Sequence, residues 1–186
     1  MSFSFEITAR GKAALDGMKG LTDDLKGPLV KAQVRGLNRV AKAAKTLAVR
    51  EIAKNMGIKS KRINQDMKVL PALARKLEAK VRVKGIRIPL IEFKARENAR
   101  GVTAMSRGKR KLFPDAFISR MKSGHIGVFK RFNQRRLPIA ELRGASIPVV
   151  FGRKTIQSAL SKLVFERLDR EIKTAFDFFT RRRLGV

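Results

Sequence analysis

The chain has 186 residues, 44% of them apolar, and its 44 Lys and Arg outnumber its 15 Asp and Glu to give a formal net charge of +29. That is long enough for one cored domain and too apolar for a wholly disordered chain. With no Cys and one His, disulfide frameworks, thiolate zinc sites, Cys nucleophiles and His-rich metal sites are excluded.

So large an excess of positive charge repels itself in a compact monomer and calls for an anionic partner. The opening Met-Ser-Phe-Ser-Phe-Glu lacks a basic stretch followed by an apolar one, and no apolar run approaches ~18 residues. Neither a secretory signal nor a membrane span is expected.

Phe3, Phe5 and Ile7 alternate with polar neighbours, which predicts a short strand. Ala14, Leu15 and Met18 mark a short helical stretch among glycines. A long helix follows. Its start is either Thr22-Asp23-Asp24, where a hydroxyl and early acids suit the free N–H groups, or Gly27-Pro28, with Pro at the first helical position. Apolar and small residues at 25, 29, 32, 36, 40, 43 and 47, with a second row at 30, 34, 37, 41, 44, 48 and 52, predict a wide buried face, and Gly57 marks the end. Lys31, Arg35, Arg39, Lys42 and Lys45 fall on the other side. Ser60 opens a shorter helix with Ile63, Met67 and Leu70 inward, stopped by Pro71.

From residue 76 the period changes to two. Leu77, Ala79, Val81 and Val83, Gly85, then Ile86 to Phe93 read as a β-hairpin with an irregularity at Pro89. Residues 94–111 are basic and poor in large apolar groups, which suggests a mobile loop, with a strand possible at 102–105. Residues 112–118 restore apolar content. His125–Phe132 reads as a strand. Pro138, Gly144 and Pro148 make 137–152 an extended docking segment. A last helix runs from about Thr155 to Arg181, with Ile156, Leu160, Leu163, Leu168, Ile172, Phe176 and Phe179 on its apolar face. Glu166–Arg170, Asp169–Lys173 and Asp177–Arg181 are acid-first pairs at i,i+4, each worth about 0.3–0.5 kcal/mol.

Two patterns bear on function. Ala53, Gly57 and Ile63 have the spacing of a helix-turn-helix, with Lys59, Lys61, Arg62, Asn64 and Gln65 available to a groove. The bland alternative is a helix–Gly–helix corner with a basic surface, and the upstream helix is too long for a compact three-helix reader. Residues 94–136 hold 13 Lys and Arg and two acids, Glu97 and Asp115, and their aromatics are four Phe with no Tyr or Trp. That composition suits phosphate-backbone contact better than base stacking. It also suits a solvated segment or an acidic neighbouring subunit. Enzyme signals are weak. Ser119-Arg-Met-Lys122 matches S-x-x-K without its partner motifs, and no phosphate-cradling glycine motif or clustered carboxylates appear. His125 reads as a surface or structural residue.

Three blocks of the second half occur together: Gly85-Ile-Arg-Ile-Pro89-Leu-Ile-Glu-Phe93-Lys-Ala95, Phe113-Pro-Asp-Ala-Phe117-Ile, and Gly124-His-Ile-Gly127-Val-Phe129-Lys-Arg131. They lead into Arg136-Leu-Pro-Ile-Ala-Glu141-Leu-Arg-Gly144-Ala-Ser-Ile-Pro148. This order and spacing resembles the minor tail protein Z family of tailed phages, the tail completion proteins of lambda-like siphophages and prophages. The resemblance spans most of the chain. Ala145 departs from it, standing where Pro is expected. The resemblance implies a structural virion protein at the head-proximal end of the tail, near the end of the packaged genome, and assembled in the host cytoplasm. It implies no catalytic residue.

The expectation is therefore a single α+β domain: a mainly helical part over 1–75, a mainly β part over 76–136 with the basic loop 94–111, the docking segment 137–152, and the C-terminal helix from 153. Strands 3–7, 77–83, 86–93 and 125–132 are expected to share one small, mostly antiparallel sheet. The expected partners are further copies of the chain in a hexameric ring, other tail and neck proteins, and packaged double-stranded DNA through its backbone, with no membrane. No cofactor or metal is expected. Lys94, Arg96, Arg100, Arg107, Lys109, Arg110, Lys111, Lys130, Arg131, Arg135 and Arg136 are the candidates for DNA or an acidic partner. Leu137, Pro138, Ile139, Leu142, Ile147 and Pro148 are the candidates for the subunit interface. The alternative is a sequence-specific DNA-binding regulator using the 50–67 corner.

Overall fold

The computed structural model describes residues 2–8, 23–106, 108–133, 135 and 137–184. The fold is α+β, as expected. Strand β1 (Ser2–Thr8) is followed by helix α1 (Asp23–Met56), helix α2 (Ser60–Asp66), and strands β2 (Met67–Leu70), β3 (Glu78–Lys84) and β4 (Arg87–Pro89). Then come β5 (Arg96–Asn98), β6 (Gly101–Ser106), β7 (Lys109–Pro114), β8 (Ala116–Arg120), β9 (Ile126–Arg131), β10 (Ile139–Glu141) and β11 (Arg143–Ser146). The short helix α3 (Ile147–Phe151) and the long helix α4 (Lys154–Leu184) complete the order. The chain divides into two compact units. One is built chiefly from Val49–Asp66 and Val83–Arg153, the other from Ser4–Ala48, Met67–Arg82 and Lys154–Val186.

In the second unit the long-helix reading holds. The start at Asp23 agrees with the acidic N-terminus, so Pro28 is the sixth residue of α1, past the free N–H groups of the first turn, and leaves one intrahelical hydrogen bond unmade. Thr22 and the 14–18 stretch lie outside the described residues. Both apolar rows of α1 turn inward: Leu29, Ala32, Leu37, Val40, Ala41, Ala44 and Ala48 are buried. Lys31, Arg39 and Lys42 stay exposed. A Cβ on Gly36 would lie 2.7 Å from Ile172, so glycine lets α1 and α4 approach closely there. Arg39 pairs with Glu171 across the two helices at 3.2 Å, and the Arg35 guanidinium stacks 4.5 Å above the Phe178 ring. On α4 itself, Glu166 pairs backward with Lys162 at 3.9 Å rather than forward with Arg170. Ile156, Leu160 and Ala175 are buried along α4, and the rest of its predicted apolar face is half-buried. Sheet β1-β3-β2 completes this unit.

Five expectations are corrected. Ser60 does open a helix with Ile63 inward, but it ends at Asp66, where Arg62 and Asp66 close an i,i+4 ion pair at 3.1 Å. Met67 and Leu70 belong instead to β2, whose side chains alternate between buried and exposed. The hairpin over 77–93 does not form. β3 pairs with β1 and β2, whereas β4 pairs antiparallel with β11, and Pro89 ends β4 where the chain turns into a 3-10 segment, Leu90–Glu92. The four strands expected in one sheet are thus shared among three.

The basic stretch 94–111 is not a loop. It lies mostly in an antiparallel meander, β5-β6-β7, in which Arg96 faces Thr103 and Ser106 faces Lys109. Gly108, with φ +77, closes the β6–β7 turn. The segment 137–152 is regular for most of its length: β10 pairs with β9, β11 with β4, and α3 buries Ile147, Pro148, Val150 and Phe151. Its neighbour β9 is the strand expected at 125–132, and β8 pairs with its other edge.

Candidate nucleic-acid and partner interface

The meander is where most predicted cations meet. Register fixes which share a face. Thr103 is the direct partner of Arg96, and Arg110 Nη1 donates to Thr103 Oγ1 at 3.2 Å, so Arg96 and Arg110 lie on one side of the sheet. Arg110 reaches further across β6, donating to the Lys94 carbonyl at 3.4 Å. Lys94 itself sits at φ +52, a left-handed backbone uncommon outside glycine. Arg100 is exposed on the two-residue β5–β6 turn.

Lys109 and Lys111 alternate onto the opposite side. Lys111 is the direct partner of the fully buried Ala104, and its Nζ lies 5.8 Å from the Phe113 ring centre. Glu97 is on that side as well: it faces the buried Val102 and accepts the Ile118 N–H at 3.2 Å. The candidates of 94–111 are therefore sorted, with arginines over Thr103 and lysines beside the apolar side. Arg107 and Arg136 lie outside the described residues.

The β8-β9-β10 sheet separates its two candidates similarly. Lys130 approaches Asp115 at 3.7 Å. Arg131, next along β9 and so on the other face, stacks 5.4 Å over Phe117. Arg135 is exposed. Sequence reasoning missed a cluster beside them. His125 Nε2 lies 2.7 Å from Glu141 Oε1, and Arg143 Nε donates to Glu141 Oε2 at 3.2 Å. Burial pushes the Glu141 carboxyl up, but its bonds to His125 and Arg143 together outweigh this and hold it below the ordinary carboxylate range. The role of His125 is thus to bond Glu141. The sequence signal was a lone acid, Glu141, two residues before Arg143 in a basic neighbourhood.

Among the interface candidates, Leu137 is 66% exposed, and Phe132, just upstream on the same β9–β10 connection, is 69% exposed. Leu137 and Pro138 are joined by a cis peptide. Ile139 and Leu142 are half-buried. Ile147 and Pro148 are buried in the unit's own core, so of the six candidates Leu137 and Pro138 are the exposed ones.

The 50–67 corner is a helix–Gly–helix corner. Gly57 takes φ +70, and its N–H bonds the Ala53 carbonyl at 2.8 Å. Helix α2 has seven residues, and Arg62, offered to a groove in the regulator reading, is held by Asp66 and by Glu92 at 3.6 Å. No described helix is long and apolar enough to cross a membrane, and no described His, Asp and Glu side chains cluster as a metal site would need.

Comparison with known proteins gives two findings. The family model for prophage minor tail protein Z matches residues 14–184. A tail completion protein of Escherichia phage N15 is 25% identical over 136 residues, covering 69% of this chain and 74% of that protein. No solved structure matches.

Proposed function

Because the chain belongs to the prophage minor tail protein Z family, it is a structural protein of a phage tail, and we propose that it completes the head-proximal end of that tail and joins it to the head. In this reading the copies form a sixfold ring around the end of the packaged genome. The observation that carries it is the family match over 14–184 in a chain of charge +29. A junction protein beside packed DNA gains from a strongly basic surface and needs no base readout, and a ring multiplies that charge around one axis. The exposed Phe132 and Leu137 support assembly, since large apolar side chains at a connection tip are suited to burial against another subunit.

The test is a null allele of the gene in its phage, with particles viewed by electron microscopy and titred. Heads and tails that fail to join, or complete-looking particles that do not infect, support the reading. Normal infectious yield with altered transcription would overturn it and restore the regulator.

A further inference from the structure

The geometry points to one face of the β5-β6-β7 meander, the face carrying Arg96 and Arg110 over Thr103, as the surface that takes the phosphate backbone of duplex DNA. This inference rests on the proposed position beside the packaged genome and says which of the many cations would meet it.

Three observations carry it. The first is segregation. Glu97 is the only acid between 94 and 114, and register turns it to the other side, where the Ile118 N–H occupies it. The second is pre-organisation. Arg110 lies across β6 under two hydrogen bonds, to Thr103 Oγ1 and to the Lys94 carbonyl, so little rotamer freedom remains to be lost on binding. The third is continuity. A Cβ on Gly57 would stand 2.7 Å from the Cβ of Met105, the direct partner of Arg110, and the Gly108 N–H bonds the Asn55 carbonyl at 2.7 Å. The α1–α2 corner therefore abuts this face and extends it with the exposed Lys59. Two carboxylates near the corner, Asp66 and Glu92, are held by Arg62. Like charges gathered on one side of a sheet repel, and an anion laid over them removes that penalty. A row of cations held in place on a sheet face suits the phosphate backbone, which positions a protein on the duplex.

The experiment measures binding of the full-length chain to a labelled duplex of arbitrary sequence, by fluorescence anisotropy, across a range of salt. Two double variants remove the same charge from opposite sides: Arg96→Gln with Arg110→Gln, and Lys109→Gln with Lys111→Gln. The first should weaken binding at least about tenfold and lower the salt slope by about 2, roughly one per lost phosphate contact. The second should change the slope by less than half as much. Arg110→Lys keeps the charge while losing the hydrogen bonds, so recovery of the slope in Arg96→Gln with Arg110→Lys to within about 1 of wild type separates charge from folding. Equal effects of the two double variants, or a larger effect of the lysine pair, overturns the assignment while leaving DNA proximity standing. No duplex binding by the wild-type chain, with binding to an acidic tail protein instead, overturns the assignment together with the DNA part of the proposed function.

Discussion

Two three-stranded sheets of this protein start from similarly basic sequence and end with opposite surfaces. On β1-β3-β2, Lys80 sits 2.6 Å from both Glu6 and Glu78, and Lys76 reaches Glu78 at 3.1 Å. Lys76 and Lys80 are thus bound by acids from two strands. On β5-β6-β7 the register sends the one acid to the apolar side and leaves Arg96 and Arg110 facing outward without a carboxylate of their own segment. What separates the sheets is strand parity and partner choice. A one-residue shift of β5 against β6 would carry Arg96 to the other side and put Glu97 on the side of Arg110.

The largest test breaks the meander itself. Gly101 holds φ +127, and a Cβ there would sit on the Phe113 carbonyl oxygen with Pro114 Cα at 3.1 Å. Both obstacles are backbone, so Gly101→Ala should destabilise the unit by about 3 kcal/mol. A urea titration should show a lower midpoint, and the duplex-binding salt slope should fall with it. An unchanged midpoint would mean that the β5–β6 turn is not built as described. Next in size, Thr103→Glu places an acid opposite Arg96 and against the Arg110 guanidinium, giving the meander the character of the other sheet. Duplex affinity should fall about tenfold, while the unfolding free energy changes by no more than about 0.5 kcal/mol. The converse change, Glu6→Gln with Glu78→Gln, frees Lys76 and Lys80. Affinity should rise about threefold if exposed cation count is what the duplex reads. No rise would mean that only pre-organised cations count.

The two long helices were legible because their signal is redundant, whereas α2 was read past its end and α3 as extended chain. Ten buried apolar positions on α1, from Leu29 to Met56, repeat one period over about seven turns. The meander was not legible, because its strands are three to six residues long and basic side chains mask the alternation. Its turn was nevertheless written in the sequence: Gly108 stands just before the basic run 109–111, where a positive φ is needed. The failed hairpin at Gly85 shows the complementary limit. Two adjacent apolar runs separated by glycine look like partners, but β4 is three residues long and ends in Pro89, and its hydrogen bonds go to β11, far along the chain. Nothing local to 77–93 could reveal that. The candidate site shared this fate. The basic residues could be named from composition, but their division into two faces depends on register, which only the folded pairing specifies.

The smallest expected effect concerns pH and separates the sheets once more. Hydrogen bonding to Lys80 is the largest influence on Glu78 and, with Lys76, outweighs the opposing effect of burial, so the Glu78 carboxyl lies below its ordinary range. Lys80 is raised above its ordinary value, first by its bond to Glu6 and then by its bond to Glu78. A depressed carboxyl stabilises the fold above its unfolded pKa and loses that contribution as pH falls through the folded one; a raised amine stabilises below its unfolded pKa and loses its contribution as pH rises through the folded one. The ion cluster on β1-β3-β2 therefore acts across the neutral range and fades at both extremes. Exposed pairs of this kind are heavily screened, so the melting temperature should shift by only about 1–2 °C between pH 6 and each extreme on their account, and by less in high salt. Glu78→Gln should remove most of that acid-side shift. Arg96→Gln should leave it untouched, because the meander has no carboxylate paired with that arginine. Melting curves from pH 3 to 11 for the two variants and the wild type would show this. A reduced acid-side shift in Arg96→Gln would mean that the meander arginines do find an acid in solution, and the contrast between the sheets would fail.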